Sequence, residues 1–221
     1  MNKTAIILGA TGLTGNIILK KLIKDERYTS IKLFSRSKIE DLPNKVTQYI
    51  GDLLELNKFK TDFIADEVYC CIGTTTKKTP NKELYKQIDY GIPVAAAKLA
   101  KQNSIPIFCV ISAIGANKNS NVFYNKTKGL MEFGVLEQHI DKTFILRPSL
   151  ISGKRNERRV LEKAGIILFK LVQPLLIGKL KKYQIINAES IAKTMIHLAN
   201  NTNNTDVIIT SSTIKEISKN N

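Results

Sequence analysis

The chain has 221 residues, of which 43% are hydrophobic, and it carries a formal net charge of +15. This length and composition predict one folded domain with a sizeable core and exclude a disordered chain. No apolar run reaches the ~18 residues that span a bilayer, because the longest, at 165–178, is interrupted by Lys170 and Pro174. The first residues show no secretory signal pattern, so we expect a cytoplasmic protein without a transmembrane segment.

The charged and metal-binding residue types narrow the range of partners. Three cysteines and two histidines lack metal-binding spacing, which indicates a reducing compartment and no metal site. The charge comes from 28 lysines and only six arginines, which is typical of a biased composition combined with an anionic small ligand. We therefore expect no nucleic-acid partner and a monomer or homodimer.

Short apolar runs alternate with helix-period patterns along the chain. Strands are predicted at 4–8, 31–34, 46–50, 67–72, 105–112 and 143–146, and helices from residue 13 and near 81–102 and 121–139. This alternation predicts the α/β class: a doubly wound, mostly parallel, Rossmann-like sheet in a single domain spanning 1–221, with its core at 1–150.

The region after residue 150 is less regular. We expect a helix at 156–171, a loop at 173–183, a helix at 188–200, a strand at 206–210 and a frayed tail from Ser218. The segment 151–187 is interpreted as a small subregion on the substrate side of the domain. Nine basic residues at 154–182 leave two alternatives open for this stretch, which are an oligomer contact and weak binding to an anionic membrane surface.

The first strand runs directly into a glycine-rich turn with the spacing GxxGxxG. Glycine is needed where the backbone turns sharply and approaches a diphosphate, and the following helix offers free N–H groups and a positive dipole end. The turn therefore indicates nucleotide binding. The candidate cofactor contacts here are Gly9, Thr11, Gly12, Leu13, Thr14 and Gly15.

The ends of the next strands supply further candidates. Arg36 follows the second strand, where an NAD-preferring site carries an acid for the ribose 2′-hydroxyl. A guanidinium there suits a 2′-phosphate, which favours NADP(H) over NAD. The other candidate contacts at strand ends are Ser35, Asp52, Leu53, Cys71, Ile72 and Gly73.

A Tyr-x-x-x-Lys pair, Tyr124 and Lys128, follows the fifth strand at the start of a predicted helix. A second such pair, Tyr28 and Lys32, is expected by chance in a lysine-rich chain and has no serine partner. Tyr124 and Lys128 share one helix face, and Ser112 lies twelve residues before the tyrosine. A nearby ammonium favours the phenolate and tunes the tyrosine for acid–base work, while the serine would bind the substrate oxygen.

Together these residues resemble the atypical short-chain dehydrogenases/reductases, and most closely the Tat-interacting-protein-like oxidoreductases. The motifs that carry the resemblance are the glycine turn, Cys71-Ile72-Gly73-Thr74-Thr75, Ile111-Ser112-Ala113-Ile114-Gly115-Ala116, Tyr124-Asn125-Lys126-Thr127-Lys128-Gly129 and Leu146-Arg147-Pro148. The resemblance covers nearly the whole chain.

The resemblance implies NADPH bound along these motifs, including Tyr124, Lys128 and Pro148, and a catalytic set of Ser112, Tyr124 and Lys128. It also implies hydride transfer on a carbonyl/alcohol substrate. Relatives often carry a serine pair where this chain has Ser112 followed by Ala113. An NADPH-responsive regulatory or binding protein without turnover is therefore the alternative function.

Overall fold

The computed structural model describes residues 2–153, 184–201 and 204–220. Within them, seven strands form one sheet and two short strands form a second. The strands are β1 (Lys3–Leu8), β2 (Tyr28–Ser35), β3 (Val46–Ile50), β4 (Glu67–Cys70), β5 (Ile107–Ile111), β6 (Lys142–Arg147), β7 (Ile151–Ser152), β8 (Ile186–Asn187) and β9 (Ile208–Thr210).

The large sheet has the strand order β3-β2-β1-β4-β5-β6-β9, and every neighbouring pair is parallel. The chain starts in the centre and winds outward on both sides, so the predicted doubly wound α/β fold is confirmed. The strand order reverses between β1 and β4. In open α/β sheets, ligands bind at the carboxyl ends of the strands beside such a reversal.

Helices cover both faces of the sheet. They are α1 (Leu13–Lys24), α2 (Lys82–Lys86), α3 (Ile92–Gln102), α4 (Phe123–Leu136), α5 (Ala188–Asn200) and α6 (Ser211–Lys219), with a 3₁₀ helix at Leu53–Phe59 and a π turn at Gln87–Gly91. One core lies under α1, α5 and α6, and the other lies under α3, α4 and the 3₁₀ helix. Ala5 and Ile7 of β1 point into the first core, whereas Ile6 and Leu8 point into the second. Burial on both faces explains why this strand is a continuous apolar run.

Several elements differ from the sequence prediction. The strand predicted at 67–72 ends at Cys70, and the helix predicted at 81–102 is divided by the π turn. The tail that we expected to fray from Ser218 belongs to α6, which ends at Lys219. The side chain of Thr210 caps this helix by accepting from the backbone N–H of Thr213 at 3.3 Å, and Ile214 is buried.

Most of the predicted substrate-side segment, including the helix at 156–171, the loop at 173–183 and the basic stretch at 154–182, lies outside the described residues. The strands that flank it pair in parallel, and Ser152 lies opposite Asn187. Among the described helices, none has the length and hydropathy needed to cross a membrane.

The amino edge of the sheet is held by a buried carboxylate, Glu67, at the start of β4. The hydroxyls of Tyr28 and Tyr69 each donate to its Oε1 at 2.5 Å, and the Nζ of Lys3 lies 2.9 Å from its Oε2. Tyr28 belongs to the Tyr-x-x-x-Lys pair that we attributed to chance. Its hydroxyl lies at the amino ends of the strands, on the opposite side from the glycine-rich turn, and donates to the buried carboxylate of Glu67.

We expect Gly15→Ala to destabilise the fold. A Cβ at this position in α1 would lie 2.2 Å from the carbonyl oxygen of Gly9, so the turn would have to shift. Overpacking of this kind costs about 1–3 kcal/mol of unfolding free energy, which urea denaturation measures. Gly91 is the matched control, because a Cβ there meets nothing within 4 Å, and Gly91→Ala should be neutral or slightly stabilising. Equal losses in the two variants would contradict the close approach at Gly15.

Candidate functional site

The glycine-rich turn joins β1 to α1 at the carboxyl edge, as the sequence predicts. Gly9 has a φ of +84°, and a Cβ there would lie 2.8 Å from the carbonyl oxygen of Cys71. The N–H of Gly12 donates to the carbonyl of Gly9 at 2.9 Å, which closes the turn. No side chain among the described residues caps the start of α1 at Gly12. The first helical N–H groups and the positive dipole end therefore form a seat for an anion.

The ends of β2 and β3 lie on the same side of the sheet as this turn. Arg36 is exposed and makes no hydrogen bond or ion pair with any residue that the structure describes. Ser35 is buried, and its hydroxyl donates to the carbonyl of Ser37 at 2.8 Å. Asp52 caps the 3₁₀ helix through the N–H of Leu54 at 3.0 Å, while the side chain of Leu53 packs in the core. The side chains of Ser35 and Leu53 are therefore engaged within the protein, and a ligand would contact these residues through their backbone. The exposed Arg36 guanidinium is available to bind an anionic group.

Tyr124 and Lys128 lie one turn apart near the start of α4. Tyr124 is 39% exposed, whereas Lys128 is buried with its Nζ 2.8 Å from Oδ1 of Asp89. Gly73 is near this pair, since a Cβ there would lie 3.9 Å from the lysine Nζ. The structure therefore brings the lysine to the loop after β4, at the same edge as the glycine-rich turn.

Asp89 is a site residue that the sequence analysis missed. Its Oδ2 accepts from the backbone N–H of Thr74 at 2.6 Å, so one carboxylate holds both the loop after β4 and Lys128. Asp89 lies in the π turn, a distortion that is frequent at functional sites. A signal existed, because Asp89 stands between Tyr85 and Ile92 on the buried stripe of an amphipathic helical region.

The surroundings of Lys128 and Tyr124 shift the pKa values of both side chains. Burial is the largest single effect and lowers the pKa of Lys128, but Asp89, Tyr124 and Cys70 together raise it by more, so the net pKa lies above the usual lysine value. The pKa of Tyr124 is also raised, because burial outweighs the lowering effect of the Lys128 ammonium, and Asp89 adds to the rise. Lys128 thus lowers the pKa of the phenol as expected, but burial of the phenol has the larger effect.

Ser112 has a different partner from the expected substrate oxygen. Its hydroxyl donates to Oε1 of Glu132 at 2.5 Å, and the same oxygen accepts from Nε of Arg147 at 2.9 Å. Glu132 was not singled out from the sequence, although it follows Tyr124 and Lys128 at helical spacing on α4. Ala113, which follows Ser112 and has no hydroxyl, is buried. The serine of the predicted catalytic set is therefore engaged within the protein.

Two contacts position the segment after β5. The N–H of Ile114 donates to the carbonyl of Pro148 at 2.9 Å, so Pro148 contributes through its backbone. Gly129 follows Lys128 on α4, and a Cβ there would lie 2.2 Å from the backbone N of Lys118. The missing side chain lets the loop after β5 lie directly against the helix.

Cysteine and metal chemistry play no visible part among the described residues. They contain no group of three His, Cys, Asp or Glu side chains that could hold a metal ion. Burial raises the pKa of the Cys70 thiol to about 12, and it raises the pKa values of Cys71 and Cys109 well above the usual range. These thiols are therefore protonated at neutral pH, and Cys71 contributes to the site through its carbonyl.

No family model matches the chain, but individual known proteins do. It is 34% identical over 164 residues to "Protein FMP52, mitochondrial" of Candida albicans, a match covering 70% of this chain and 69% of that protein. It is 32% identical over 162 residues to Protein HTATIP2 of Rattus norvegicus, which covers 72% of this chain and 66% of the rat protein, just under two thirds of its length.

Solved structures share the fold at low identity. The Bordetella bronchiseptica enzyme WbmG, in complex with NAD, superposes with a TM-score of 0.71 at 13% identity, covering 99% of this chain and 77% of that one. The UDP-N-acetylglucosamine 4-epimerase from Methanobrevibacter ruminantium M1 gives 0.71 at 18% identity, covering 99% and 80%. At these identities the likeness establishes the fold.

The fold and the arrangement of the glycine-rich turn, serine, tyrosine and lysine define a Rossmann-type domain of the short-chain dehydrogenase/reductase class. Within that class, the chain belongs to the atypical family that includes HTATIP2 and FMP52. The resemblance inferred from the motifs is thus confirmed.

The same comparisons contradict the cytoplasmic location expected from the sequence. Relatives from several yeasts, including Candida albicans and Debaryomyces hansenii, carry the name "Protein FMP52, mitochondrial". The expectation was wrong because it depended on composition and on the first residues. Cellular location is read from addressing signals that a fold and a charge balance do not encode.

We expect the Asp89–Lys128 pair to be strongly coupled. Asp89→Asn or Lys128→Met alone would leave one buried charge unpaired, which costs about 3–5 kcal/mol of unfolding free energy. The double variant should lose less than the sum of the two, by about 0.5–3 kcal/mol. Because the lysine pKa is raised, its stabilisation is present at neutral pH and is lost only as pH rises above the ordinary value of 10.5.

Urea denaturation at neutral pH measures this cycle. Glu55→Gln is the matched control, since Glu55 pairs with Lys58 on the exposed surface at 2.5 Å and such pairs contribute little. If Asp89→Asn were as mild as Glu55→Gln, the buried ion pair would not contribute as the structure indicates.

Proposed function

We propose that this protein is an NADP(H)-dependent oxidoreductase that interconverts a carbonyl compound and its alcohol. The observation that carries the proposal is the Lys128 ammonium, held by Asp89 at 2.8 Å beside the loop after β4, with the exposed Tyr124 one helical turn away. Further support comes from the kinship with HTATIP2 and from the shared fold with WbmG, which was solved with NAD.

The residues at the carboxyl edge fit a dinucleotide. Added Cβ atoms at Gly9 and Gly15 would collide with the backbone of Cys71 and Gly9, so only glycine permits this tight turn, and the start of α1 offers N–H groups to the oxygens of a diphosphate. In this proposal Lys128 binds the ribose nearest the nicotinamide, and Gly73 leaves room beside it. The bound cofactor would supply the hydride chemistry.

Arg36 supports a preference for the phosphorylated cofactor. It follows β2, where a ribose 2′-substituent would lie, and none of the described residues neutralises its charge. A guanidinium has only donors to offer, so an anionic 2′-phosphate is a better partner than a 2′-hydroxyl.

Tyr124 would carry the proton. Its raised pKa keeps the phenol protonated at neutral pH, so it can donate a proton to the carbonyl oxygen during reduction. Oxidation of an alcohol would require the phenolate, which alkaline pH favours. Lys128 stabilises that phenolate and so permits the reverse direction.

One observation favours a second candidate function. Ser112 donates its hydroxyl to Glu132, and Ala113 has no hydroxyl, so neither residue is free to hold a substrate oxygen in this arrangement. A protein that binds NADPH and responds to it without turnover would need only the cofactor seat. The two functions differ in turnover and share the cofactor residues.

We expect Arg36→Ala to weaken NADPH binding and to leave NADH binding almost unchanged. Loss of a charge-assisted hydrogen bond of roughly 1.5–3 kcal/mol corresponds to a dissociation constant about 10- to 150-fold higher. Calorimetric titration of both cofactors into both proteins measures this difference. Lys38→Ala is the matched control, because Lys38 is a nearby exposed cation paired with Glu40. Equal or tighter binding of NADH by the unmutated protein would contradict the cofactor preference.

We expect Tyr124→Phe to keep NADPH affinity and to lower carbonyl reduction by ~10²-fold or more, the scale of general acid catalysis. The rate is followed by the loss of reduced-nicotinamide absorbance with a panel of aldehydes, ketones and quinones. Tyr49→Phe is the control, since Tyr49 stacks on Phe34 away from Lys128. Wild-type rates in Tyr124→Phe would remove the tyrosine from the mechanism, and NADPH binding without turnover on any substrate would favour the second function.

A further inference from the structure

An open pocket of about 460 Å³ lies on α4, between the loop after β5 and strands β6 and β9. Its volume is within the range of small-molecule sites. Its walls are formed mainly by Lys118, Glu132, Phe133, Leu136, Arg147 and Ile208. None of the candidate cofactor contacts lines it, so the pocket is separate from the proposed cofactor seat.

The polar part of the pocket is positively charged. Arg147 donates from Nε and Nη2 to the Glu132 carboxylate, which also accepts from Ser112, so this carboxylate is satisfied. The guanidinium has five N–H donors, and its side chain is 34% exposed. Lys118 lies with its Nζ 4.0 Å above the ring centroid of Phe133 and has no carboxylate partner among the described residues. Arg147 and Glu132 neutralise each other's charge, so Lys118 leaves the pocket with one net positive charge, which favours an anion.

The remaining wall is apolar. Phe133 and Leu136 lie one turn apart on α4 and are both exposed, and Ile208 of β9 faces the same pocket. Exposed apolar side chains beside a small set of polar groups are typical of a ligand site. A ligand for this pocket therefore needs a short hydrocarbon body as well as a negative charge.

We propose that this pocket binds a small amphipathic carboxylate. The carboxylate group lies between the free N–H groups of Arg147 and the ammonium of Lys118, and the hydrocarbon body lies on Phe133, Leu136 and Ile208. A planar carboxylate suits the arginine fork, which already holds the carboxylate of Glu132 in this way. The cation–π contact of Lys118 can persist, since an ammonium over a ring still attracts an anion from its open side.

The test titrates decanoate into the full-length protein by calorimetry, at concentrations that stay below micelle formation, with decanol and decyltrimethylammonium as matched probes. Saturable binding of decanoate, at least tenfold tighter than that of the other two, is the expected result. Equal binding of decanoate and decanol would overturn the role of the cations. Loss of decanoate binding at saturating NADPH by direct competition would place the probe in the cofactor seat and overturn the pocket assignment.

Variants of exposed residues locate the site without disturbing the buried Glu132. Lys118→Gln should weaken decanoate about fivefold, and Leu136→Asp about tenfold or more, because it removes apolar contact and adds a repelling charge. Lys126→Gln on the same helix and Leu84→Asp are the controls, since Leu84 is 41% exposed and Leu136 is 39% exposed. Thermal denaturation confirms that each variant folds. Unchanged affinity in Leu136→Asp would overturn the proposal, and the proposed oxidoreductase activity would be unaffected by that result.

Discussion

A buried ion pair between Asp89 and Lys128 joins three segments of the candidate site, which are α4, the π turn and the loop after β4. The carboxylate binds α4 through the lysine at 2.8 Å and binds the loop after β4 through the N–H of Thr74 at 2.6 Å. Burial of two charges is costly, and here each carboxylate oxygen of Asp89 has one partner, the Lys128 ammonium at Oδ1 and the Thr74 N–H at Oδ2. The position of the lysine, and with it the electrostatic environment of Tyr124, therefore depends on a residue in the π turn.

The amino ends and the carboxyl ends of the strands both carry tyrosine and charged side chains, but these side chains have different surroundings. At the amino edge, the Glu67 carboxylate accepts from two tyrosine hydroxyls and pairs with Lys3, so its polar groups are satisfied inside the protein. At the carboxyl edge, the side chains of Tyr124 and Arg36 are exposed and make no hydrogen bond with the described residues. Parallel strands bury both faces of the sheet, and polar groups that can meet a ligand are therefore concentrated at this edge.

Ser112 donates its hydroxyl to Glu132, which also binds Arg147, so the serine is not placed to bind a substrate oxygen as its motif implies. The serine hydroxyl has a single proton, and that proton is given to Glu132 in this structure. In the proposed reaction, Tyr124 would then supply the hydroxyl that polarises the carbonyl oxygen. This hydrogen-bond network faces the pocket on α4 through Arg147, so Ser112 and the pocket share the carboxylate of Glu132.

Three features could be predicted from the sequence: the alternation of strands and helices, the glycine-rich turn, and the shared helix face of Tyr124 and Lys128. They depend on periodicity and on local backbone sterics. Tertiary structure alone decided that Asp89 holds Lys128 and that Glu132 takes the proton of Ser112. Both contacts join elements that are distant in the chain, and local patterns carry no information about which buried charges meet. A buried carboxylate has to find a partner, but only the packing of helices on the sheet selects it.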